Sequence, residues 1–259
     1  MGVMNITPDS FYDGGICHSP WEAVKVAEAL LAGGAGILDL GAASSRPGAP
    51  VIDPSEEQAR LMPVLKAVAS HFPEATLSVD TYHSSTARMA VEAGAAIIND
   101  ISAGSIDPLM FETIADLQVP YVLMHMQGRP ETMQKNPQYD DVVKEVSSFF
   151  ARKIHALRQV GVHDIIIDPG FGFGKSLEDN YRLLAQLDYF KLFDLPLLVG
   201  FSRKSMINKV LNTVPAQALN GTTVLNTLAL TKGAGILRVH DPREALEAIK
   251  IIQCYQALQ

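Results

Sequence analysis

Cysteine is scarce in this sequence, and the two that occur, Cys17 and Cys254, lie too far apart to form a paired metal-binding or redox motif. We therefore expect a reducing, cytoplasmic setting. No apolar run approaches the roughly 18 residues that a membrane-spanning helix needs, and the N-terminus lacks the basic and apolar segments of a signal peptide. The formal net charge is −7, so the chain offers no basic field to a nucleic acid.

The composition instead predicts a well-packed globular enzyme or binding protein. Hydrophobic residues make up 47% of the 259 residues and charged residues 19%, which favours a sizeable core over disorder. This length suits one large α/β domain or two small ones. Because no linker, low-complexity segment or charge run interrupts the chain, we predict a single domain over residues 1–259.

Short apolar runs rich in Val, Ile and Leu recur along the whole chain, and each has the length of a buried strand. Stretches with helical periodicity separate them, including 142–157 and the segment after Pro242, whose pattern predicts an apolar face formed by Leu246, Ile249, Ile252 and Tyr255. Eight such βα units in a chain of this length predict a (β/α)8 TIM barrel. The predicted strands are 2–5, 36–40, 77–80, 96–100, 121–125, 165–168, 197–204 and 235–240.

Polar residues close these runs, where a barrel has its C-terminal mouth. Active sites of TIM barrels occupy that face, so the pattern indicates a binding site more strongly than a set of structural hydrogen bonds. Structural alternatives stay open for single members: a core histidine at His125, an orienting role for Asp39, and a turn at Asn99-Asp100 that leaves one of the two for a ligand. The candidates are Asn5, Asp39, Asp80, Asn99, His125, Asp168, Lys204, Arg238 and His240.

The residue types at the predicted mouth suit a particular kind of ligand. Asp80, Asn99 and Asp168 offer acceptors and one amide donor, as a flat heterocycle with N–H edges requires. The cationic side chains at the last two strands suit phosphate or pyrophosphate. Asn5 is a neutral oxygen ligand, which could help an anionic substrate to hold Mg²⁺.

The stretch DPGFGFGKS, residues 168–176, looks at first like a phosphate-binding loop. Its spacing is one residue short of G-x-x-x-x-G-K-[ST], and Lys175 stands where G-x-G-x-x-G needs its third glycine. We therefore predict that the glycines let the backbone pass close to a flat ligand, that Phe171 and Phe173 form wall surface, and that Lys175 is a solvated loop charge. The chain also lacks a nucleophile elbow and a HExxH zinc motif.

Eight motifs spread over nearly the whole chain resemble, in order, the signatures of the dihydropteroate synthase family. They read GVMNITPDSFYDGG, SSRPGA, VDT, IINDI, LMHMQG, DPGFGFGK, GFSRKSMI and RVHD. The resemblance implies a TIM-barrel transferase of folate synthesis and a sulfonamide target. It implies the condensation of 6-hydroxymethyl-7,8-dihydropterin pyrophosphate with p-aminobenzoate, with Mg²⁺, to give dihydropteroate and pyrophosphate. It also implies a homodimer joined by late helices.

The same resemblance assigns roles to residues, with Asp80, Asp168, Lys204, Arg238 and His240 as the catalytic candidates. By this resemblance, the pterin is bound by Asp80, Asn99, Met124, Asp168, Gly200 and Lys204. Pyrophosphate is bound by Arg238, Val239 and His240, and Mg²⁺ by Asn5. The p-aminobenzoate side comprises Phe11, Ser45, Arg46, Pro47, Phe173, Lys204 and Ser205. Residues 6–19 and 42–54 resemble lids that close over the substrates.

Some positions depart from the family pattern. Ala43 replaces an acidic residue and Ser45 a threonine, and Phe201 stands where a smaller or straighter side chain is usual. The chain also begins at the first strand, whereas family members usually carry an N-terminal hairpin across the barrel bottom.

Three other readings remain at this point: a methyltetrahydrofolate–corrinoid methyltransferase, a non-catalytic pterin-binding paralogue and an unrelated phosphosugar barrel. The first has no need of an aminobenzoate pocket with Lys204 and Ser205. The second is expected to lose Asn5, Arg46, Arg238 or His240, and all four are present. The third usually has a glycine-rich phosphate grip after its last two strands, which this chain replaces with cationic side chains.

Overall fold

The computed structural model describes residues 1–6, 19–44, 48–49 and 51–258, within which eight strands alternate with α-helices. The strands are β1 Gly2–Asn5, β2 Ile37–Gly41, β3 Thr76–Asp80, β4 Ile97–Asp100, β5 Tyr121–Met124, β6 Ile165–Asp168, β7 Leu198–Val199 and β8 Ile236–Leu237. The helices are α1 Pro20–Ala32, α2 Pro54–His71, α3 Ser84–Glu92, α4 Met110–Leu117, α5 Val142–Gln159, α6 Leu177–Ala185, α7 Ser205–Leu211, α8 Leu219–Thr231 and α9 Pro242–Gln256.

The strands close into a barrel, which confirms the predicted fold. β1 to β6 form one parallel sheet in chain order, and β7 pairs with β8. Parallel bridges join the two pieces at both seams, Ile167 to Leu197 and Gly2 to Val239. At the second seam, the Val3 amide donates to the Val239 carbonyl and the Val239 amide to the Met1 carbonyl, both at 2.9 Å. All eight strands therefore present their carboxyl ends at one mouth.

The last two strands are shorter than the sequence predicts. β7 ends at Val199 and β8 at Leu237, so Lys204 and His240 lie beyond the strands, and Lys204 precedes the first residue of α7. The chain leaves β7 through a turn in which Arg203 has a φ of 60°, a left-handed conformation that a side chain rarely adopts. The sequence pattern does not reveal this turn, because the backbone conformation of a single residue does not alter the alternation of apolar and polar side chains.

The helices form the outer layer, and caps fix where several of them begin. The Ser19 and Asp53 side chains accept backbone N–H groups of α1 and α2, each of which has proline at its first position. α5 buries the predicted apolar face, from Val142 to Leu157. In α9 the predicted face is partly wrong: Tyr255 is 56% exposed, and two alanines with Ile252 form the buried side. None of the helices described is long and apolar enough to cross a membrane.

An apolar layer fills the bottom of the barrel. Each even-numbered strand contributes one isoleucine to this layer, and these four pack with Val122 and Leu198. Stacked layers of side chains from alternate strands are the usual filling of a TIM barrel. We call the four isoleucines the base layer: Ile37, Ile97, Ile166 and Ile236.

Candidate active site

Polar side chains follow the base layer along the same four strands. Side chains alternate between the two faces of a strand, so a residue two positions further on also faces the barrel interior. At that position β2, β4 and β6 carry an aspartate, an asparagine and an aspartate, and the residue after β8 is an arginine. We call this set the mouth layer: Asp39, Asn99, Asp168 and Arg238.

Three members of the mouth layer, Asn99, Asp168 and Arg238, line a cavity that is partly open to solvent. Its walls combine acceptors, cations and apolar surface, which is the composition of a small-molecule site. Most of the predicted pterin and pyrophosphate residues line it. The lining residues are Val3, Asn99, Ile101, Met124, Asp168, Phe173, Gly200, Ser202, Lys204, Arg238 and His240.

Asp39 is the buried hub of this layer. Its carboxylate accepts hydrogen bonds from Ser78 Oγ at 2.6 Å, Asn99 Nδ2 at 3.1 Å and Arg238 Nε at 2.6 Å. The side chain is fully buried, so these partners replace the water that a carboxylate otherwise requires. Asp39 therefore orients one amide and one guanidinium toward the same cavity.

Arg238 bridges two carboxylates. Besides Asp39, its Nη2 donates to Asp80 Oδ2 at 2.8 Å. Burial opposes the charge of Arg238, but Asp39 and Asp80 outweigh it and raise the pKa of the guanidinium. Burial raises the pKa of Asp80 to about 7, and the charge of Arg238 opposes that rise. Asp80 is thus the partner of Arg238, and unlike most predicted pterin residues it does not line the cavity.

Asp168 and Lys204 form the opposite side of the cavity. Asp168 Oδ1 accepts the Gly170 amide at 2.8 Å, and burial raises the pKa of its carboxyl against the opposing charge of Lys204. Lys204 Nζ donates to the Phe171 carbonyl at 2.6 Å and lies 4.6 Å from the centre of the Phe173 ring. Burial lowers the pKa of Lys204 to about 8, with the Asp168 charge opposing.

Apolar side chains provide flat surface at the mouth. Met124 and Ile101 line the cavity and belong to a buried cluster with Tyr82, Met133 and Phe173. Ala43 packs against this cluster as a partly buried residue. Phe201, one of the positions that depart from the family pattern, is fully buried. Its ring centre lies 4.5 Å from that of Phe171, so the large side chain is accommodated in an aromatic pair that does not line the cavity.

The prediction that Lys175 is a solvated loop charge is wrong. Its side chain is buried at 3% exposure, and its ammonium contacts His125 Nδ1 and three backbone carbonyls. Ser176, the next residue, forms a reciprocal capping box with Asp179 at the start of α6. The motif therefore folds into a helix-capping turn, and neither Lys175 nor Ser176 lines the cavity.

His125 is a core histidine, one of the two readings that the sequence left open. Met124, the last residue of β5, faces the cavity, so the residue that follows it points outward, where the His125 ring lies 4.8 Å from Phe149 in an edge-on contact. Of the pair Asn99-Asp100, only Asn99 lines the cavity. The Asp100 carboxylate accepts hydrogen bonds from Tyr121 Oη and from the backbone amides of the turn that follows it.

The remaining candidates occupy different places. Gly200 and His240 line the cavity, and His240 Nδ1 lies 2.9 Å from Ser202 Oγ. Ser205 is exposed at the start of α7, and Asn5 is partly buried at the end of β1. Val239 belongs to the hydrophobic core, where its backbone closes the barrel. Four candidates lie outside the described residues: Phe11, Ser45, Arg46 and Pro47.

Sequence reasoning missed several residues of this site. Val3 lines the cavity and lies two positions before Asn5 on β1, a period-2 signal that the sequence contains. Ser202 also lines the cavity, but it lies in the turn after β7, where strand periodicity gives no signal. Ile101 directly follows β4 and also lines the cavity. The sequence pattern points only to the polar pair before it, at 99–100, because Ile101 is apolar. The hub geometry of Asp39 has no sequence signal, because its partners lie on β3, on β4 and directly after β8.

Comparisons with known proteins agree with this fold. The model of the family described as pterin binding enzyme matches residues 1–240. The dihydropteroate synthase of Escherichia coli K12 is 46% identical over 255 residues, covering 98% of this chain and 90% of that protein. A solved structure of the Yersinia pestis dihydropteroate synthase with a sulfonamide drug matches with a TM-score of 0.95 at 42% identity, covering 99% of this chain and 94% of the other.

A third match is the Xanthomonas albilineans dihydropteroate synthase solved with 4-aminobenzoic acid, with a TM-score of 0.91 and 41% identity. It covers 99% of this chain and 92% of the other. The chain belongs to the pterin-binding enzyme family. Within that family its activity is that of a dihydropteroate synthase, a transferase of folate biosynthesis.

Proposed function

We propose that the barrel mouth condenses 6-hydroxymethyl-7,8-dihydropterin pyrophosphate with p-aminobenzoate, with the mouth layer as the recognition element. One observation carries the proposal: a single cavity combines acceptors for a heterocycle, Asn99 and Asp168, with Arg238 and His240 for an anion. A substrate that joins a flat ring to a pyrophosphate matches this division. The solved relative that contains 4-aminobenzoic acid supports the second substrate.

The pterin ring lies between the acceptors and the apolar wall in this proposal. Asn99 Nδ2 is engaged by Asp39, so Asn99 offers its Oδ1 to a ring N–H. Asp168 accepts from the amino edge, and Lys204 donates to a ring acceptor. Met124 packs against one face of the ring, and Gly200 leaves room at its edge, where no side chain intrudes.

The pyrophosphate lies at the end of β8. Arg238 keeps its Nε bond to Asp39 while its terminal nitrogens turn from Asp80 to a phosphate oxygen. This exchange releases Asp80 for the pterin, so binding of the two halves of the substrate is coupled. His240, whose Nδ1 is held by Ser202 Oγ, provides the second group for the phosphate.

The residues at the mouth fit a Mg²⁺ ion that arrives with substrate, and they do not form a resident metal cage. Within the described part of the chain, no group of three His, Cys, Asp or Glu side chains could hold a metal, and the nearest acids, Asp39 and Asp80, are paired with Arg238. Mg²⁺ commonly keeps several waters and binds through substrate phosphates. Asn5 would supply one protein oxygen, and the bound ion would neutralise charge on the departing pyrophosphate.

The reaction then needs positioning and charge stabilisation from the protein. The bond between the exocyclic carbon and the pyrophosphate oxygen breaks, and its electron pair leaves with pyrophosphate, held by Arg238 and His240. The carbon becomes cationic through electron release from the ring, and the Asp168 carboxylate favours that charge. The amine nitrogen of p-aminobenzoate attacks this carbon and afterwards loses one proton. No protein nucleophile takes part.

The p-aminobenzoate side is built around Lys204. Phe173 and Lys204 border the cavity, and Ser205 follows on the surface as a hydroxyl for the carboxylate. Phe11, Ser45, Arg46 and Pro47 complete this side in the proposal, although they lie outside the described residues.

The homodimer also remains part of the proposal. The late helices and the turn between them expose several apolar side chains, which is typical of a surface that another chain covers. Equilibrium sedimentation tests it, and a monomer at micromolar concentration would contradict it. The exposed residues are Val210, Leu211, Val214, Leu219, Val224 and Leu228.

Pyrophosphate release tests the proposed function directly. We expect release from the pterin pyrophosphate with Mg²⁺ to depend on p-aminobenzoate and to produce dihydropteroate. Arg238→Gln should lower kcat/KM by about a hundredfold or more, the size expected for a lost charge-stabilising donor. Arg243→Gln is the matched control, because the Arg243 side chain is 80% exposed and pairs with the surface residue Glu247 on the same helix. Equal activity of both variants would contradict the assignment.

A further inference from the structure

The buried ammonium of Lys175 is held by the loop that precedes it. Its Nζ lies 2.9 Å from the Gly170 carbonyl, 3.1 Å from the Phe173 carbonyl and 3.4 Å from the His125 carbonyl. It also lies 3.0 Å from His125 Nδ1. The lysine of this phosphate-loop-like motif thus binds the backbone of its own loop and the end of β5.

The donors and acceptors at this point match. An ammonium has three N–H donors and no acceptor, and the surrounding carbonyls and imidazole nitrogen are all able to accept. Burial, and then the charge of Lys175, lowers the pKa of His125 well below its ordinary value, so the ring is neutral and Nδ1 accepts. Burial also lowers the pKa of Lys175, to about 7, against the charge of Asp168. The loop contacts are therefore what satisfies a costly buried amine.

The loop has little freedom to relax away from Lys175. Gly170 and Gly174 both have left-handed φ values, 69° and 58°. A Cβ on Gly170 would clash with the His125 carbonyl oxygen, and one on Gly174 would clash with the Gln127 carbonyl oxygen. The backbone of the loop thus packs closely against the segment after β5, and the buried Lys175 side chain forms hydrogen bonds with both segments.

The other side of this loop faces the cavity, which Phe173 and Lys204 line. The Phe171 carbonyl accepts Lys204 Nζ at 2.6 Å, and the Phe173 ring lies beneath the same ammonium at 4.6 Å. One short loop therefore receives two lysines from opposite sides, Lys175 behind it and Lys204 in the cavity. The position of the loop sets where Lys204 and Phe173 stand.

We propose that Lys175 is a positioning residue for the second substrate: by holding loop 170–173 against the end of β5, it sets the places of Lys204 and Phe173 on the p-aminobenzoate side. This inference rests on the proposed function. The pterin pyrophosphate shares Lys204 and Asp168 with this loop. It depends less on Lys175 because its other contacts, Asn99 and Arg238, are held by Asp39 and do not touch the loop. The structure therefore separates the two substrates in their dependence on one buried lysine.

Lys175→Met tests the proposal, because methionine keeps most of the volume and removes the donors. We expect the KM for p-aminobenzoate to rise about tenfold, the effect of losing one well-placed interaction, while the Kd of the pterin pyrophosphate changes by less than about threefold. Lys153→Met is the matched control. Lys153 also donates to a backbone carbonyl, Ala103 at 2.7 Å, but it does not line the cavity. Its KM values should stay at those of the wild type.

A second variant and a rescue keep the test decisive if Lys175→Met does not fold. His125→Phe keeps an aromatic ring and removes only the Nδ1 contact, so it should raise the same KM by about threefold, a smaller shift in the same direction. In Lys175→Ala, added methylammonium should restore p-aminobenzoate affinity, whereas methanol should not. Unchanged KM for p-aminobenzoate in both Lys175→Met and His125→Phe would overturn the proposal, as would equal losses for both substrates. A wild-type protein that binds neither substrate would instead overturn the proposed function.

Discussion

The two ends of the barrel interior are built by the same four strands and have opposite chemistry. At the base, β2, β4, β6 and β8 each contribute an isoleucine. Two residues further on, the same strand directions present Asp39, Asn99, Asp168 and Arg238. The change from apolar to polar side chains takes place over about 7 Å along a strand. In each of these four strands it falls two residues after the isoleucine.

This contrast separates stability from chemistry. Burying an isoleucine stabilises the fold by roughly 1.5–3 kcal/mol, whereas a buried charge costs several kcal/mol unless partners satisfy it. The base layer is therefore favourable without further support. The mouth layer is sustained by mutual pairing, with Asp39 bonded to Asn99 and Arg238. Substitutions at the two levels of one strand should consequently have opposite effects.

The largest effect is expected at the mouth of β6. Asp168→Asn keeps the shape and the acceptor for the Gly170 amide but removes the charge opposite the developing cation. We expect kcat/KM to fall by about a thousandfold, or about 4 kcal/mol of transition-state stabilisation, with the free energy of unfolding unchanged within about 1 kcal/mol. Steady-state kinetics and urea denaturation measure the two. A variant that loses stability in parallel with activity would break the contrast.

The base of the same strand should respond in the opposite way. Ile166→Ala removes a buried side chain and leaves a cavity, so the free energy of unfolding should fall by about 2–4 kcal/mol. The mouth of the barrel keeps its own hydrogen bonds, and kcat/KM should change by less than about threefold. Urea denaturation and kinetics at a temperature where the variant is folded give both values. A hundredfold loss of activity here would show that the layers are not independent.

How much of this arrangement the sequence predicts differs between the two ends. The repeated apolar runs predicted eight strands, the barrel and the polar mouth, because strand periodicity and strand ends are local features. Local pattern did not predict that Lys175 turns inward, since its acceptors include the His125 carbonyl fifty residues away in sequence. Nor did it predict the left-handed conformation of Arg203, in the turn between β7 and α7 that places Lys204. Contacts between segments that are distant in sequence decide such features, and the local sequence of one segment does not show them.

The hub of the mouth layer gives a smaller but specific prediction. Asp39→Asn replaces a carboxylate that accepts from Ser78, Asn99 and Arg238 with an amide that can accept fewer bonds and must donate. Asn99 and Arg238 should lose their fixed orientation, and kcat/KM should fall by about a hundredfold, or about 2.7 kcal/mol. Ser78→Ala is the control, because it removes only one partner of Asp39. Equal effects of the two variants would contradict the hub role.

The dependence of stability on pH is the smallest of the expected effects. Burial lowers the folded-state pKa values of Lys175 and Lys204 to about 7 and about 8, below the ordinary 10.5. Above pH 7 the unfolded chain therefore binds more protons than the folded one, so the free energy of unfolding rises with pH through this range. The slope is at most about 1.4 kcal/mol per pH unit for each lysine.

Urea denaturation at about pH 7 and pH 9 measures this slope. Lys175→Met removes one of the two groups, so its slope should be smaller than that of the wild type. Lys153→Met provides the comparison for a lysine that is only about half buried. A wild-type free energy of unfolding that falls over this range would contradict the assignment of both buried amines.

Two variants of β4 test the central claim most directly, because Ile97 and Asn99 lie two residues apart on one strand. The measurement is the Kd of the pterin pyrophosphate by calorimetry, together with the free energy of unfolding, for Ile97→Ala and Asn99→Ala. We predict that Asn99→Ala weakens binding by at least about tenfold, the value of one hydrogen bond to a ligand, and keeps most of its stability. Ile97→Ala should lose about 2–4 kcal/mol of stability and keep its affinity. Wild-type affinity in Asn99→Ala, or a parallel loss of affinity in Ile97→Ala, would contradict the division of the barrel into a stabilising base and a substrate-binding mouth.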